Sequence, residues 1–207
     1  HLSLRRQRQM CIRDRFMAAL LTSVLDNTDK VIEYSGECAR LGIKVLPPDV
    51  NISNGGFTAD NGKIRFGLNA VKNVGRNLIE RVVEERKETP YSSLYDFCKR
   101  MHGTELNRRA VECLIKAGAF DSMGVNRHSL VEAVDGIIKS VESDSRRNLE
   151  GQLDLFSVMS GESQTADTDS YEIKPFPEYS HTELLQQEKE VSGLYLSGHP
   201  LDAYREQ

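Results

Sequence analysis

Two stretches of this chain carry the residue types that grip an anion, and a third carries the types that dock in a groove. The first is Val71-Lys72-Asn73-Val74-Gly75-Arg76. A turn this short needs permissive backbone, which Gly75 supplies and Asn73 tolerates. It opens onto a helical pattern, whose N-terminal N–H groups and dipole attract negative charge. Lys72 and Arg76 add cations. The chemistry suits a nucleic-acid phosphate held without reading base sequence. The same spacing also suits a plain helical corner.

The second stretch runs from Arg108-Arg109 through Lys116-Ala117-Gly118-Ala119-Phe120. It reads as a degenerate second hairpin, 43 positions after the first when Gly118 is set against Gly75. Paired hairpins can hold both strands of a duplex. The alternative makes Arg108 and Arg109 a solvated first turn, although cations there oppose the helix dipole. The third stretch is Gln152-Leu153-Asp154-Leu155-Phe156, an apolar island in acidic surroundings. Two anchors beside an amide fit a partner's groove. Composition alone favours a loop tacked onto its own domain.

Catalytic groups are sparse. His1, His102, His128, His181 and His199 lack metal-ligand spacing with one another or with a cysteine. Cys38, Cys98 and Cys113 fall in helical stripes and read as core. No Asp-x-Asp pair sits in a strand suited to two metal ions, and Asp167-Thr168-Asp169 lies in a polar stretch. There is no GxxxxGK[ST] loop.

The elements that position these groups follow from periodicity. The chain has 207 residues, 39% hydrophobic and 28% charged, with a net charge of -4. That suffices for one domain or two small ones, and no apolar run approaches a membrane span. Four cysteines without a CxxC pair fit a reducing cytoplasm. Residues 62–128 hold thirteen Lys/Arg against eight Asp/Glu, whereas residues 142–190 hold four against twelve. The basic block suits a polyanion and the acidic one does not.

Residues 1–15 are expected to be a non-native extension without helical or strand period, resembling translated linker sequence. A nucleic-acid-binding arm is the other reading. From Phe16 the pattern is helical, broken at Asp26-Asn27. Val31, Tyr34, Cys38 and Leu41 then mark one helix face, closed by Gly42. A small β-hairpin is predicted from Phe57–Ala59 and Lys63–Phe66 around Asp60-Asn61-Gly62. Further helices carry Leu78, Ile79, Val82 and Val83 up to Pro90, then Leu94 to Met101 with Ser93 and Asp96 as a capping pair. The next runs from an Asn107 cap to Ala117, with Leu106 stapled onto Val111. The last of this group follows Asn126, with Leu130, Val134, Ile137 and Val141 inward. Residues 142–179 read as a disordered-looking acidic linker. A terminal helix starts at Ser180, with Glu183 completing a capping box. The expected fold class is mainly α: a helical domain with tandem helix-hairpin-helix elements and one small β-hairpin, then the linker and the terminal helix.

Residues 16–207 resemble a stretch of the bacterial replicative DNA polymerase III alpha-subunit family. The resemblance is carried by Phe16-Met17-Ala18-Ala19-Leu20-Leu21, by Arg40 to Asn51 (RLGIKVLPPDVN), and by Ile64-Arg65-Phe66-Gly67-Leu68 with Val71 to Gly75. It continues in Leu114 to Asp121 (LIKAGAFD) and Gly193 to Leu201 (GLYLSGHPL). It implies that residues 16–141 are C-terminal fingers with helix-hairpin-helix elements that bind double-stranded DNA through Lys72, Asn73, Val74, Gly75, Arg76, Arg108, Arg109, Lys116 and Gly118. It implies that Gln152, Leu153, Asp154, Leu155 and Phe156 bind the sliding clamp, and that 180–207 begin the clamp-binding domain. Other replicative polymerase subunits are implied partners in the bacterial cytoplasm, with no membrane. The family's palm, its catalytic aspartates and Mg2+ belong upstream, so this stretch is expected to hold no cofactor and to be inactive alone. A freestanding DNA-binding and clamp-binding adaptor, and a damage-tolerant paralogue, are the alternatives. The family's first hairpin often carries Gly-Val-Gly, where this chain has Asn73-Val74-Gly75.

Overall fold

A computed structural model describes residues 2–103, 106–150, 171–198 and 200. Helix α1 (Leu2–Ser23) leads into α2 (Thr28–Arg40), β1 (Val45–Leu46), β2 (Thr58–Asp60) and β3 (Lys63–Arg65). Helices α3 (Arg76–Glu85), α4 (Leu94–Arg100), α5 (Arg108–Lys116), α6 (Arg127–Glu150) and α7 (His181–Ser192) follow. Single 3-10 turns at Leu68–Ala70 and Asp121–Met123 precede α3 and α6. The predicted mainly helical class holds.

The β-hairpin forms as predicted, with Asn61 and Gly62 both at positive φ (49° and 83°), the demand of a two-residue turn. Periodicity missed a third strand. Two-residue β1 pairs parallel to β3, Val45 opposite Ile64, giving the order β1-β3-β2. Two residues before Pro47-Pro48 are too few to show a period.

Several boundaries differ from expectation. Helix α1 starts at Leu2 rather than Phe16, and Asp14 is buried. Residues 2–15 contain no glycine or proline and are rich in Arg, with Gln and Leu beside it, so nothing interrupts the helix. Leu41 is exposed, outside the face that Val31 and Cys38 bury. Helix α3 ends at Glu85, before Pro90. The Arg86 guanidinium there donates to the carbonyls of Val50 (2.8 Å), Ser53 (2.5 Å) and Ile52 (3.2 Å), drawing the chain onto the 50–54 loop. Ser93 caps α4 by accepting from the Asp96 amide, but the Asp96 carboxylate reaches Ser92 instead of closing a box.

The largest difference lies at the expected acidic linker. Helix α6 continues to Glu150, and the Tyr95 hydroxyl donates to Asp144 across 2.7 Å. Residues 171–180 lie along α6 as a strap. Tyr171 packs where Gly136 has no side chain, and the Phe176 amide donates to Ser129 Oγ at 2.8 Å. Leu130, Val134, Ile137 and Val141 are buried as predicted, and the Asn126 cap forms. Helix α7 carries the predicted Ser180–Glu183 capping box, yet it does not begin a separate body. Val191 and Leu196 share one buried cluster with Phe66, Leu114 and Ile137.

Candidate nucleic-acid interface

The two hairpins differ in what they leave open. In the first, the left-handed residue is Asn73 (φ 62°), whereas Gly75 is extended (φ -72°, ψ 143°) and serves as the N-cap of α3. No side chain caps α3. Gly75, Arg76 and Asn77 are exposed; the Val74 amide closes the turn at Lys72-Asn73, and among the described residues no acceptor engages the amides of Gly75 or Arg76. Val74 packs partly against the core, which fixes the turn's inner side. Backbone donors at a helix N-terminus are chemistry that suits an anion. The hairpin is entered from a 3-10 turn.

The cations around this hairpin are partly committed. The Lys72 amide donates to the Val191 carbonyl (2.8 Å), and its ammonium donates to the Glu190 carbonyl (2.9 Å). A cation at the C-terminal end of α7 complements that helix's dipole. Arg76 pairs with Asp26 on the exposed surface. Asn73 Nδ2 lies 3.5 Å from Cys113 Sγ on α5, so the asparagine ties the two hairpin regions together.

The second hairpin is closed, which corrects the expectation for Gly118. Gly118 adopts φ 84° as the helix-ending residue. Its amide donates to Ile115 (2.8 Å) and the Ala119 amide to Leu114 (3.0 Å), a Schellman pair that uses both donors internally. Asp121 and Arg127 crowd the space a Cβ would take. The following helix is capped twice: Asn126 Oδ1 accepts from the Ser129 amide (2.8 Å), and Glu178 of the strap accepts from Arg127 (2.9 Å) and His128 (3.2 Å). Burial works against the Glu178 charge, but the Tyr179, Arg127 and His128 amides outweigh it and hold its pKa below the ordinary carboxylate value.

Arg108 answers its unfavourable helix position with internal acids, Glu112 at 2.6 Å and Asp135 at 2.8 Å. Arg109 is exposed beside it and Lys116 is half-buried. Gln152, Leu153, Asp154, Leu155 and Phe156 lie outside the described residues.

Two groups were missed from the sequence. Arg127 is buried and grips Asp121 with two nitrogens (2.9 and 2.6 Å), the Lys116 carbonyl (3.2 Å) and Glu188 (3.0 Å). Burial opposes its charge, yet Asp121 and Glu188 keep its pKa above the ordinary value. Glu188 has no exposure at all. Its other oxygen accepts from the amides of Leu196 (2.8 Å) and Ser197 (2.9 Å). The signal was present: Leu185, Glu188, Val191 and Ser192 form the buried stripe of α7, so an acid interrupts it.

Burial pushes the Cys38 thiol up to about 11 and that of Cys98 up to about 12. Among the described residues no group of three or more His, Cys, Asp or Glu could hold a metal ion. No described helix is long and apolar enough to cross a membrane.

Comparison with known proteins agrees with the hairpin geometry. The helix-hairpin-helix motif family matches residues 42–130, the span from Gly42 through both turns into α6. The chain is also 41% identical over 191 residues to the DNA polymerase III subunit alpha of Borreliella burgdorferi, covering 92% of this chain. For the same subunit of Xylella fastidiosa the identity is 43% over 194 residues (93% of this chain), and for that of Escherichia coli K12 it is 38% over 191 (91%). Over more than nine tenths of its length the chain is similar to a stretch of DNA polymerase III alpha subunits. It spans 16% of the length of each of these three relatives.

Proposed function

We propose that this chain supplies duplex grip and clamp attachment to a DNA polymerase III alpha subunit acting in chromosome replication in the bacterial cytoplasm. The polymerising chemistry falls to other parts of the enzyme. The observation that carries the reading is the pair of open amides at Gly75 and Arg76 on the uncapped α3 N-terminus. Backbone donors recognise phosphate oxygens and are blind to base identity. The polymerase therefore holds its product at any sequence. Arg109 and Lys116 add charge on the neighbouring helix.

Magnesium is implied for a whole polymerase, but the described residues do not fit it, lacking a ligand cluster. The chain alone should not extend a primer. Template-directed incorporation by the purified 207-residue protein would overturn that.

Gln152 to Phe156 is proposed to seat in the sliding clamp as an extended peptide, with Leu155 and Phe156 as anchors. Each anchor contributes roughly 1.5–3 kcal/mol before ordering costs, so the net affinity is on the order of micromolar. Shared DNA raises the effective concentration enough for this to serve. Other replicative subunits are its proposed further partners.

The test is a pair of titrations. Random-sequence duplexes should bind alike, with affinity falling by about 0.9 log units per tenfold salt for each phosphate neutralised. Clamp should bind wild type and fail to bind the Leu155→Ala/Phe156→Ala protein. Sequence-selective or salt-insensitive duplex binding would overturn the first half. Equal clamp affinity for the two proteins would overturn the second.

A further inference from the structure

Helix α7 holds both hairpin regions. Its last turn offers the Glu190 and Val191 carbonyls to Lys72 of the first. One turn earlier, Glu188 meets Arg127, which in turn grips Asp121 and the Lys116 carbonyl around the second. Glu188 cannot touch a duplex, because it has no exposed surface. It nevertheless uses both carboxylate oxygens: one on Arg127, the other on the Leu196 and Ser197 amides. A buried ion pair of this kind is directional, and its best-attested use is to fix register between elements.

Register is what the first hairpin needs. Three residues separate Glu188 from Val191 on a rigid helix, so a slip of α7 past α6 is passed on to the hairpin undiminished. A slip of about an ångström carries bonds of 2.8 and 2.9 Å beyond hydrogen-bonding reach. Among the described polar contacts the hairpin would then keep the Asn73 contact to a weakly accepting sulfur and the exposed Arg76–Asp26 pair, beside the packing of Val74. Amides that are no longer held in place must be ordered by the ligand, which weakens binding.

We infer that Glu188 is a positioning residue for duplex grip: acting through α7 and Lys72, it presets the open amides of Gly75 and Arg76. Docking of α7 and binding of duplex at the first hairpin are therefore linked, and linkage is reciprocal. This rests on the reading of the first hairpin as the duplex-gripping element.

The experiment is residue-resolved amide hydrogen exchange on the full chain, wild type and Glu188→Gln, with and without a random-sequence duplex. Without DNA, the Lys72 amide of Glu188→Gln should exchange about tenfold faster, as expected when one hydrogen bond loses its support. With DNA, the wild-type Leu196 and Ser197 amides should slow. Glu188→Gln should bind duplex more weakly by about fivefold or more, the low end of ordinary coupling between sites. A purely stabilising Glu188 would leave the affinity of the folded protein and the duplex-dependent exchange at Leu196 and Ser197 unmoved. An unchanged Lys72 rate in folded Glu188→Gln overturns the inference, and so do wild-type Leu196 and Ser197 rates that ignore saturating duplex. If the variant does not fold, the wild-type comparison decides alone. A wild type that binds no duplex defeats the hairpin reading itself, whereas the α7-to-hairpin link is judged in the DNA-free arm.

Discussion

Arg127 and Glu188 meet at 3.0 Å inside the protein, 61 residues apart in the chain, and join the start of α6 to the middle of α7. Neither is more than 6% exposed at its side chain. Glu188→Ala should cost about 3–5 kcal/mol in urea denaturation, because it strands part of a buried charge. Replacing the pair by Arg127→Met with Glu188→Leu should recover much of that loss. A double variant as unstable as the single one would show that packing, not charge, sets the cost.

Gly118 and Gly75 should respond oppositely to alanine. Gly118→Ala forces a side chain into left-handed backbone and against Asp121 at 2.8 Å, so a loss of about 1–3 kcal/mol is expected. Gly75→Ala meets ordinary extended backbone on the surface and should stay within about 0.5 kcal/mol of wild type. Denaturation midpoints of the two variants check this.

Gly136 lies mid-helix, where alanine normally stabilises by about 0.5–1 kcal/mol. Here the added Cβ would enter the Tyr171 ring, 2.9 Å from Cζ. Gly136→Ala should therefore destabilise, and the sign should reverse in a Tyr171→Ala background. The same sign in both backgrounds would mean that the strap does not pack on α6 in solution.

The Glu178 cap gives the strap a pH dependence. Its pKa is lowered in the folded protein, so its contribution is fully present above the ordinary carboxylate value. That contribution is lost as pH falls through the folded pKa. The stability gap between wild type and Glu178→Gln should thus be constant near neutrality and close at acid pH. A gap that widens in acid would reverse the sign of the cap.

Local rules made much of this fold legible. Asn107, Asn126 and Ser180 each announced a helix start by residue type, and each accepts the expected backbone N–H. The Asn61-Gly62 turn was equally local. What stayed hidden depends on distant partners. Strand β1 exists because β3 lies beside it, and the strap is ordered because α6 offers Gly136, Ser129 and its own N-terminus. The turn of the first hairpin was legible, although Asn73, rather than Gly75, takes the left-handed conformation. The closure of the second was legible only in part: the Gly118 turn and the Asn126 cap are local, but Glu178 arrives from 51 residues beyond Arg127.

The most direct test of the account is Gly75→Asp. Aspartate is a preferred N-cap and the backbone at Gly75 already suits one, so stability should rise by a few tenths of a kcal/mol. Its carboxylate would also occupy the amides proposed for phosphate and repel the duplex. Binding isotherms over a salt series should show weaker affinity on every duplex, with the log–log slope reduced by about 0.9 for each phosphate no longer neutralised. A Gly75→Asp protein that is as stable as wild type or more so, and that binds duplex with unchanged affinity and slope, would contradict the assignment of the first hairpin as the grip.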